Sequence, residues 1–173
     1  MRMLSVDLAG LHGMLEQLGD QAEAAARPAA QAAAQVLYDD VKANVAALGR
    51  VTGNLSNAIY QAYSASNSGP GHATYHVSWN HRKAPHGGLV EGGYIQRYKH
   101  YVGSDGRWYT AVRPEMRGKP RPSRRAAQSV KDAYYVPLPA PRQVAAHQFV
   151  RKAVSKFAAA ADAAQAVLME RLR

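Results

Sequence analysis

The chain has 173 residues, 47% of them hydrophobic and 20% charged, which is enough for one domain around a single core. It contains no cysteine, so disulfides, thiolate metal sites, iron–sulfur clusters and a cysteine nucleophile are excluded. The net charge of +10 points to an anionic partner, either nucleic acid or an acidic protein surface.

The first residues read as helix. Leu4, Leu8, Leu11, Leu15 and Leu18 are spaced by four and three, which puts them on one helical face. Asp7, His12 and Glu16 interrupt any apolar core of a signal peptide, and no run approaches the roughly 18 apolar residues of a membrane helix. Gly19 is expected to end or loosen this helix. An alanine-rich stretch then carries an apolar stripe of Ala33, Val36, Leu37, Val41, Val45 and Leu48. Pro28 either kinks one long helix or opens a second one, and Gly49 is a C-terminal stop.

Beyond it, Thr52 and Asn54 can cap a short helical turn. Ile59 to Ser66 reads as a strand, "NSGPG" as a turn, and "ATYHVSWN" as a second strand with Tyr75, Val77 and Trp79 on one face. "LVEGGYIQRYKHYV" is expected to hold a short helix, and "GRWYTAVRP" a further strand after the "GSDG" turn. Met116 to Ser129 is basic and proline-containing and reads as a mobile loop. "YYVPLPAP" is extended, because each proline disfavours helix in its predecessor. Ala145 to Leu172 reads as helix with Phe149, Ala153, Val154, Phe157, Ala161, Ala164, Leu168 and Leu172 on its apolar side.

The expected class is α+β: long N-terminal helices, a small mostly antiparallel sheet with a basic loop insertion, and a C-terminal helix packed on the sheet. One domain spans 1–173, with a helical region over 1–48, a sheet region over 52–113, the insertion over 94–141 and the last helix over 145–173. Two Phe and two Trp against ten Tyr make a thin core, so burial in an oligomer is expected to supplement it.

The polar stretch "HRKAPHGGLVEGGY" raises the question of chemistry. His72 and His76 would lie about 13 Å apart along a strand, too far to share a zinc ion. His81, His86 and Glu91 match no standard zinc spacing. Glu91 can act as an acid or base if buried, or can satisfy backbone amides in a glycine-rich turn; the latter is the expected role. No phosphate loop, dinucleotide fingerprint or nucleophile elbow is present, and no cofactor is expected. Between Tyr94 and Lys131, ten Lys and Arg face only Asp105 and Glu115, a local charge of +8. Arg97, Lys99, Arg113, Arg117, Lys119, Arg121, Arg124 and Arg125 interleave there with Tyr and Trp, a mix that neutralises phosphates, stacks on bases or docks on an acidic protein.

Three segments carry a family resemblance. "TGNLSNAI" is similar to a Thr-Gly-Asn-Leu-Arg-x-Ser-Ile pattern, and "APHGGLVEGG" to a His-Ala-x-Leu-Val-Glu-Phe-Gly-Thr pattern. "HQFVRKAV" is similar to a Pro-Phe-Leu-Arg-Pro-Ala pattern that opens a last helix. In this order, after an alanine-rich helix, they resemble the tail-completion or head–tail joining proteins of tailed bacteriophages, including minor tail protein Z-like members. Here Gly92 stands at an aromatic position, Gln148 and Lys152 at prolines, and Ser56 at a basic residue.

The resemblance implies a structural virion protein of the neck with no catalytic residues, assembled in the bacterial cytoplasm. It implies a homo-oligomeric ring, sixfold for stacking on a hexameric tail, between head-closure proteins and tail terminator. It implies scaffold roles for Thr52, Gly53, Asn54, Leu55, His86, Leu89, Val90, Glu91, Gly93, Phe149 and Arg151, with His86, Leu89, Val90 and Glu91 in a turn packed on the sheet and Phe149 anchoring the last helix. Ring contacts are expected from the N-terminal helices and the basic insertion, whose cations are also placed to touch genomic DNA in the channel. A free-standing basic nucleic-acid-binding protein is the alternative.

Overall fold

The computed structural model describes residues 9–49 and 53–173, with side chains of the first helix described from Glu16 onward. Alanine decides how its two long helices meet. Helix α1 (Ala9–Ala46) has 38 residues, about 57 Å at the usual rise. It runs unbroken through Gly19 and Pro28, so neither residue ends it. Glycine costs about 1 kcal/mol and proline about 3 within a helix. Flanking alanines and tertiary packing offset those costs. Ala25, Ala29 and Ala34 of α1 are buried, as is Ala160 of the last helix. Such small side chains let two helix backbones approach closely.

After α1 the chain turns at Gly53, whose φ of 74° is left-handed, into the short helix α2 (Asn54–Ala58). The Lys42 ammonium donates to the Ser56 carbonyl at 2.9 Å and ties α2 back to α1. Strands β1 (Ile59–Tyr63) and β2 (Tyr75–Trp79) pair antiparallel, with Ile59 opposite Trp79 and Tyr63 opposite Tyr75. Val77 and Trp79 pack on the core, while His76, which points the other way, is exposed.

Helix α3 (Gly87–Gly92) follows. The helix expected in "LVEGGYIQRYKHYV" is confined to it. Gly93, at φ 71° and ψ 172°, breaks the backbone, and Tyr94 onward is extended. Strand β3 (Tyr94–Tyr98) pairs antiparallel with β6 (Pro137–Val144). Between them β4 (His100–Val102) and β5 (Trp108–Thr110) form a hairpin. The described strands therefore form three separate two-stranded ladders. The β3–β6 register jumps from Gln96 opposite Arg142 to Tyr98 opposite Pro137. Pro139 and Pro141 fall in that gap and have no N–H to donate.

Two expectations change at the C-terminal end. Ala145 to Gln148 is not helical, and Gln148 adopts φ 53°. A 3-10 turn (Arg151–Lys156) leads into α5 (Phe157–Arg171). Helix α5 packs along α1 rather than on a sheet. The two run antiparallel: Asn44 donates to the Phe149 carbonyl at one end, and Val167, Glu170 and Arg171 share a cleft with Pro28 and Gln35 at the other.

The core lies where α1, α2, β2 and the entry to α5 meet. Val41, Val45, Leu55, Ala58, Ile59, Ala84, Phe149 and Ala153 are buried together, with Tyr38, Val77, Trp79, Val90 and Val150 packed against them. Leu4 and Leu8 of the predicted N-terminal stripe lie outside the described residues, as do the side chains of Leu11 and Leu15. Leu18 is 40% exposed. Val154 and Phe157, expected on the apolar side of the last helix, are 53% and 56% exposed.

Candidate functional site

The three resembling segments are far apart in sequence and meet in one place. Leu55, Ala58 and Ile59 come from the first, Ala84 and Val90 from the second, and Phe149, Val150 and Ala153 from the third. Their joint is polar. The Glu91 carboxylate accepts from the Val150 N–H at 3.0 Å with one oxygen and from the Arg151 N–H at 3.1 Å with the other. The carbonyls of Val90 and Glu91 accept from the amides of His147 and Gln148. A negative charge at the start of a helix also complements its dipole. Glu91 is therefore committed as a cap for the C-terminal helical segment, and Arg151 contributes its amide while its side chain is exposed.

Glycine shapes the same joint. A Cβ on Gly93 would lie 2.7 Å from the Val144 carbonyl oxygen and 2.8 Å from the Ala146 nitrogen. A Cβ on Gly87 would lie 2.3 Å from Nε1 of Trp79. The Trp79 ring meets Phe149 edge-on at 5.4 Å and His81 at 4.7 Å. Its indole N–H has no partner among the described residues.

Not every expected residue joins this scaffold. His86 is exposed and acts through its carbonyl, which accepts from the Leu89 and Val90 amides. Leu89 is 50% exposed, because Gly87 and Val90 share the inward face of α3. Asn54 is exposed at the start of α2, and Thr52 lies outside the described residues. Among the described residues, no group of three or more His, Asp or Glu is placed to hold a metal ion. No helix among them is long and apolar enough to cross a membrane.

The basic insertion is a separate construction. Residues 97–141 form an arm in which no residue is buried. Residues 117–127 within it have no regular helix or strand, as expected of a loop, and the arm is tied together by hydrogen bonds. The Ala111 amide donates to the Lys99 carbonyl, and the Val136 amide to the Ala111 carbonyl, joining the hairpin to β6. Helix α4 (Gln128–Tyr134), unforeseen in the sequence, closes the arm. The Tyr134 hydroxyl donates to the Lys119 carbonyl and the Lys131 ammonium to the Arg124 carbonyl.

Two carboxylates organise the arm. Tyr98 donates to Asp132 at 2.7 Å, and Gln128 donates to both. The Tyr98 hydroxyl and then Gln128 hold the Asp132 carboxyl below its ordinary value. Burial first, and then Asp132, raise Tyr98. At the hairpin tip Tyr109 donates to Asp105 at 2.7 Å, which lowers the carboxyl and raises the phenol.

Of the expected contact residues, Arg113 is turned inward, its Nε donating to the carbonyls of Asp132 and Tyr135. Arg97, Lys99, Arg117, Lys119, Arg121, Arg124 and Arg125 are exposed. The ion pairs of the arm among the described residues are Arg107 with Asp105 at 3.7 Å and Arg113 with Glu115 at 4.0 Å. Compared with family models, with curated proteins and with solved structures, the chain matches none.

Proposed function

We propose that this chain is a structural virion protein of a tailed bacteriophage, a tail-completion or head–tail joining component of the neck. One observation carries the reading. The three segments that resemble that family, separated by tens of residues, converge on one core, and Glu91 locks the second segment to the third. A motif set that builds a single joint belongs to a scaffold. In this reading Glu91 does no proton transfer, since both carboxylate oxygens serve backbone amides.

The working form is a homo-oligomeric ring, six copies on a hexameric tail. Its neighbours are head-closure proteins above and the tail terminator below. Uncovered apolar surface supports self-association: Val154, Phe157 and Met169 are more than half exposed on and beside α5. An apolar stripe on a helix is ordinarily covered by another surface. Ring contacts are heterologous, so one side of each copy must fit the other side of the next. The exposed cations of the arm support a second reading, a free-standing nucleic-acid-binding protein.

The test is a stop codon in this gene in the phage that carries it, followed by electron microscopy of the lysate. Filled heads and finished tails lying unjoined are expected. Normal joined virions would sink the proposal.

A further inference from the structure

The arm carries more than charge. We propose that it is a binding site for single-stranded nucleic acid, built from the β4–β5 hairpin and the basic segment beside it. This goes beyond the neck reading and does not depend on it.

The hairpin register places Tyr101 opposite Tyr109 and Val102 opposite Trp108. Successive pairs face opposite ways, so the two tyrosines share one face and Trp108 stands on the other. Both faces are open: Tyr101 is 53% exposed, Tyr109 36% and Trp108 61%. The tyrosine rings lie 5.8 Å apart and 30° from parallel. A soluble hairpin ordinarily covers one face. This one offers an aromatic ring on each side and buries neither.

One cation, Arg117, lies beside these rings, and four more follow it in the chain. Tyr101, Arg117 and Tyr134 line one cleft with Ala111, Val112 and Gly118. Arg117, Lys119, Arg121, Arg124 and Arg125 fall within nine residues, are all exposed, and have no carboxylate within 4.0 Å among the described residues. Two inward bonds, to the carbonyls of Lys119 and Arg124, hold the backbone that bears them.

The combination selects the ligand. Five exposed cations with no carboxylate within 4.0 Å among the described residues fit a chain of phosphates. A duplex keeps its bases stacked on each other and would leave the hairpin rings idle. A single strand offers unstacked bases, which stack on aromatic side chains while Arg and Lys follow the backbone.

The experiment is fluorescence anisotropy of a labelled thymidine strand of about 30 nucleotides, against a duplex of equal length, with the full chain from about 50 to 300 mM salt. The strand is expected to bind more tightly than the duplex and to quench Trp108. Its log–log salt slope should be near −0.7 for each phosphate neutralised, so about −3 to −4 for five cations. Trp108→Ala and Tyr101→Ala, both at exposed positions, should each weaken strand binding by about fivefold or more without changing the circular dichroism spectrum. Combined Arg121→Gln, Arg124→Gln and Arg125→Gln should flatten the salt slope. Equal binding of strand and duplex, unmoved by Trp108→Ala, would overturn the proposal and leave a plain polycation. So would no binding at the lowest salt. Polyglutamate competing as well as the strand would assign the arm to an acidic protein instead.

Discussion

Glu91 and Val150 are 59 residues apart, and the carboxylate of one accepts the amide of the other at 3.0 Å. The second oxygen takes the Arg151 amide at 3.1 Å. Side-chain caps of this type are worth about 0.5–2 kcal/mol. Glu91→Gln keeps one acceptor oxygen and should cost about 1 kcal/mol, and Glu91→Ala about 2. Urea denaturation of the two variants checks the order. If Glu91→Gln removed function while leaving the denaturation midpoint unchanged, an acid–base role would return.

Gly93 sets the path into β3. Its φ of 71° and ψ of 172° fall in a region that is essentially glycine-only, at a cost of about 1–3 kcal/mol for any other residue. A Cβ there also meets backbone, the Val144 carbonyl oxygen at 2.7 Å, which cannot swing aside as a side chain would. Gly93→Ala should therefore cost about 3 kcal/mol or more. At Gly92, where a Cβ meets nothing within 4 Å, alanine should change stability by less than about 0.5 kcal/mol. Thermal unfolding of the pair separates local geometry from a general dislike of side chains in this loop.

The contrast between these glycines shows what the sequence made legible. Strand β2 and strand β5 followed from alternation and turn residues, which are local signals, whereas β4 lay in a stretch expected to hold a helix. The unbroken α1 was only one of two readings, because Gly19 and Pro28 are local penalties; the helix runs through both, and Pro28 lies beside the end of α5 while Gly19 is exposed. The pairing of Glu91 with the Val150 amide depends on a contact across 59 residues, which no spacing rule reaches. Helix α4 was hidden by the basic, proline-rich stretch before it, and is fixed by Tyr98, Gln128 and Asp132 joining from two ends of the arm. Leu18 and Phe157 misled for another reason. Periodicity says which residues share a face, not whether this chain itself covers that face.

The Tyr98–Asp132 link predicts a pH dependence. Asp132 is held low, chiefly by the Tyr98 hydroxyl. A lowered carboxyl contributes stability above its unfolded value near 3.9, and the contribution is lost as pH falls through the folded value. Tyr98 is held high, by burial and then by Asp132. A raised phenol contributes below its unfolded value near 10, and the contribution is lost as pH rises through the folded one. The link is thus intact from about pH 4 to 10. In Tyr98→Phe the Asp132 titration, followed by carboxyl NMR, should move up towards the ordinary value. An unmoved midpoint would mean that the hydroxyl does not hold this carboxyl.

Pro28 lies inside α1 and has no N–H for the Ala24 carbonyl. Proline in a helix interior is about 3 kcal/mol worse than alanine. Part of that is already absorbed by the surrounding structure, so Pro28→Ala should stabilise the chain by about 1–2 kcal/mol. Denaturant midpoints measure it. A destabilised variant would mean that the helix path set by Pro28 is required for packing on α5.

The chain has two phenylalanines, eight residues apart, and its own fold treats them oppositely. Phe149 is 0% exposed and touches the Trp79 ring, while Phe157 is 56% exposed. Removing a buried phenylalanine ring costs about 3–5 kcal/mol. Phe149→Ala should lose that much at any protein concentration. Phe157 starts an uncharged face of α5 that continues through Ala158, Ala161, Gln165, Leu168 and Met169. If a second copy covers that face in the ring, Phe157→Ala should change the stability of the dissociated chain by less than about 0.5 kcal/mol. It should instead weaken self-association, read by sedimentation across a concentration series. Equal losses of stability in both variants at low concentration would place Phe157 in the folding of the single chain and remove it from the ring contact.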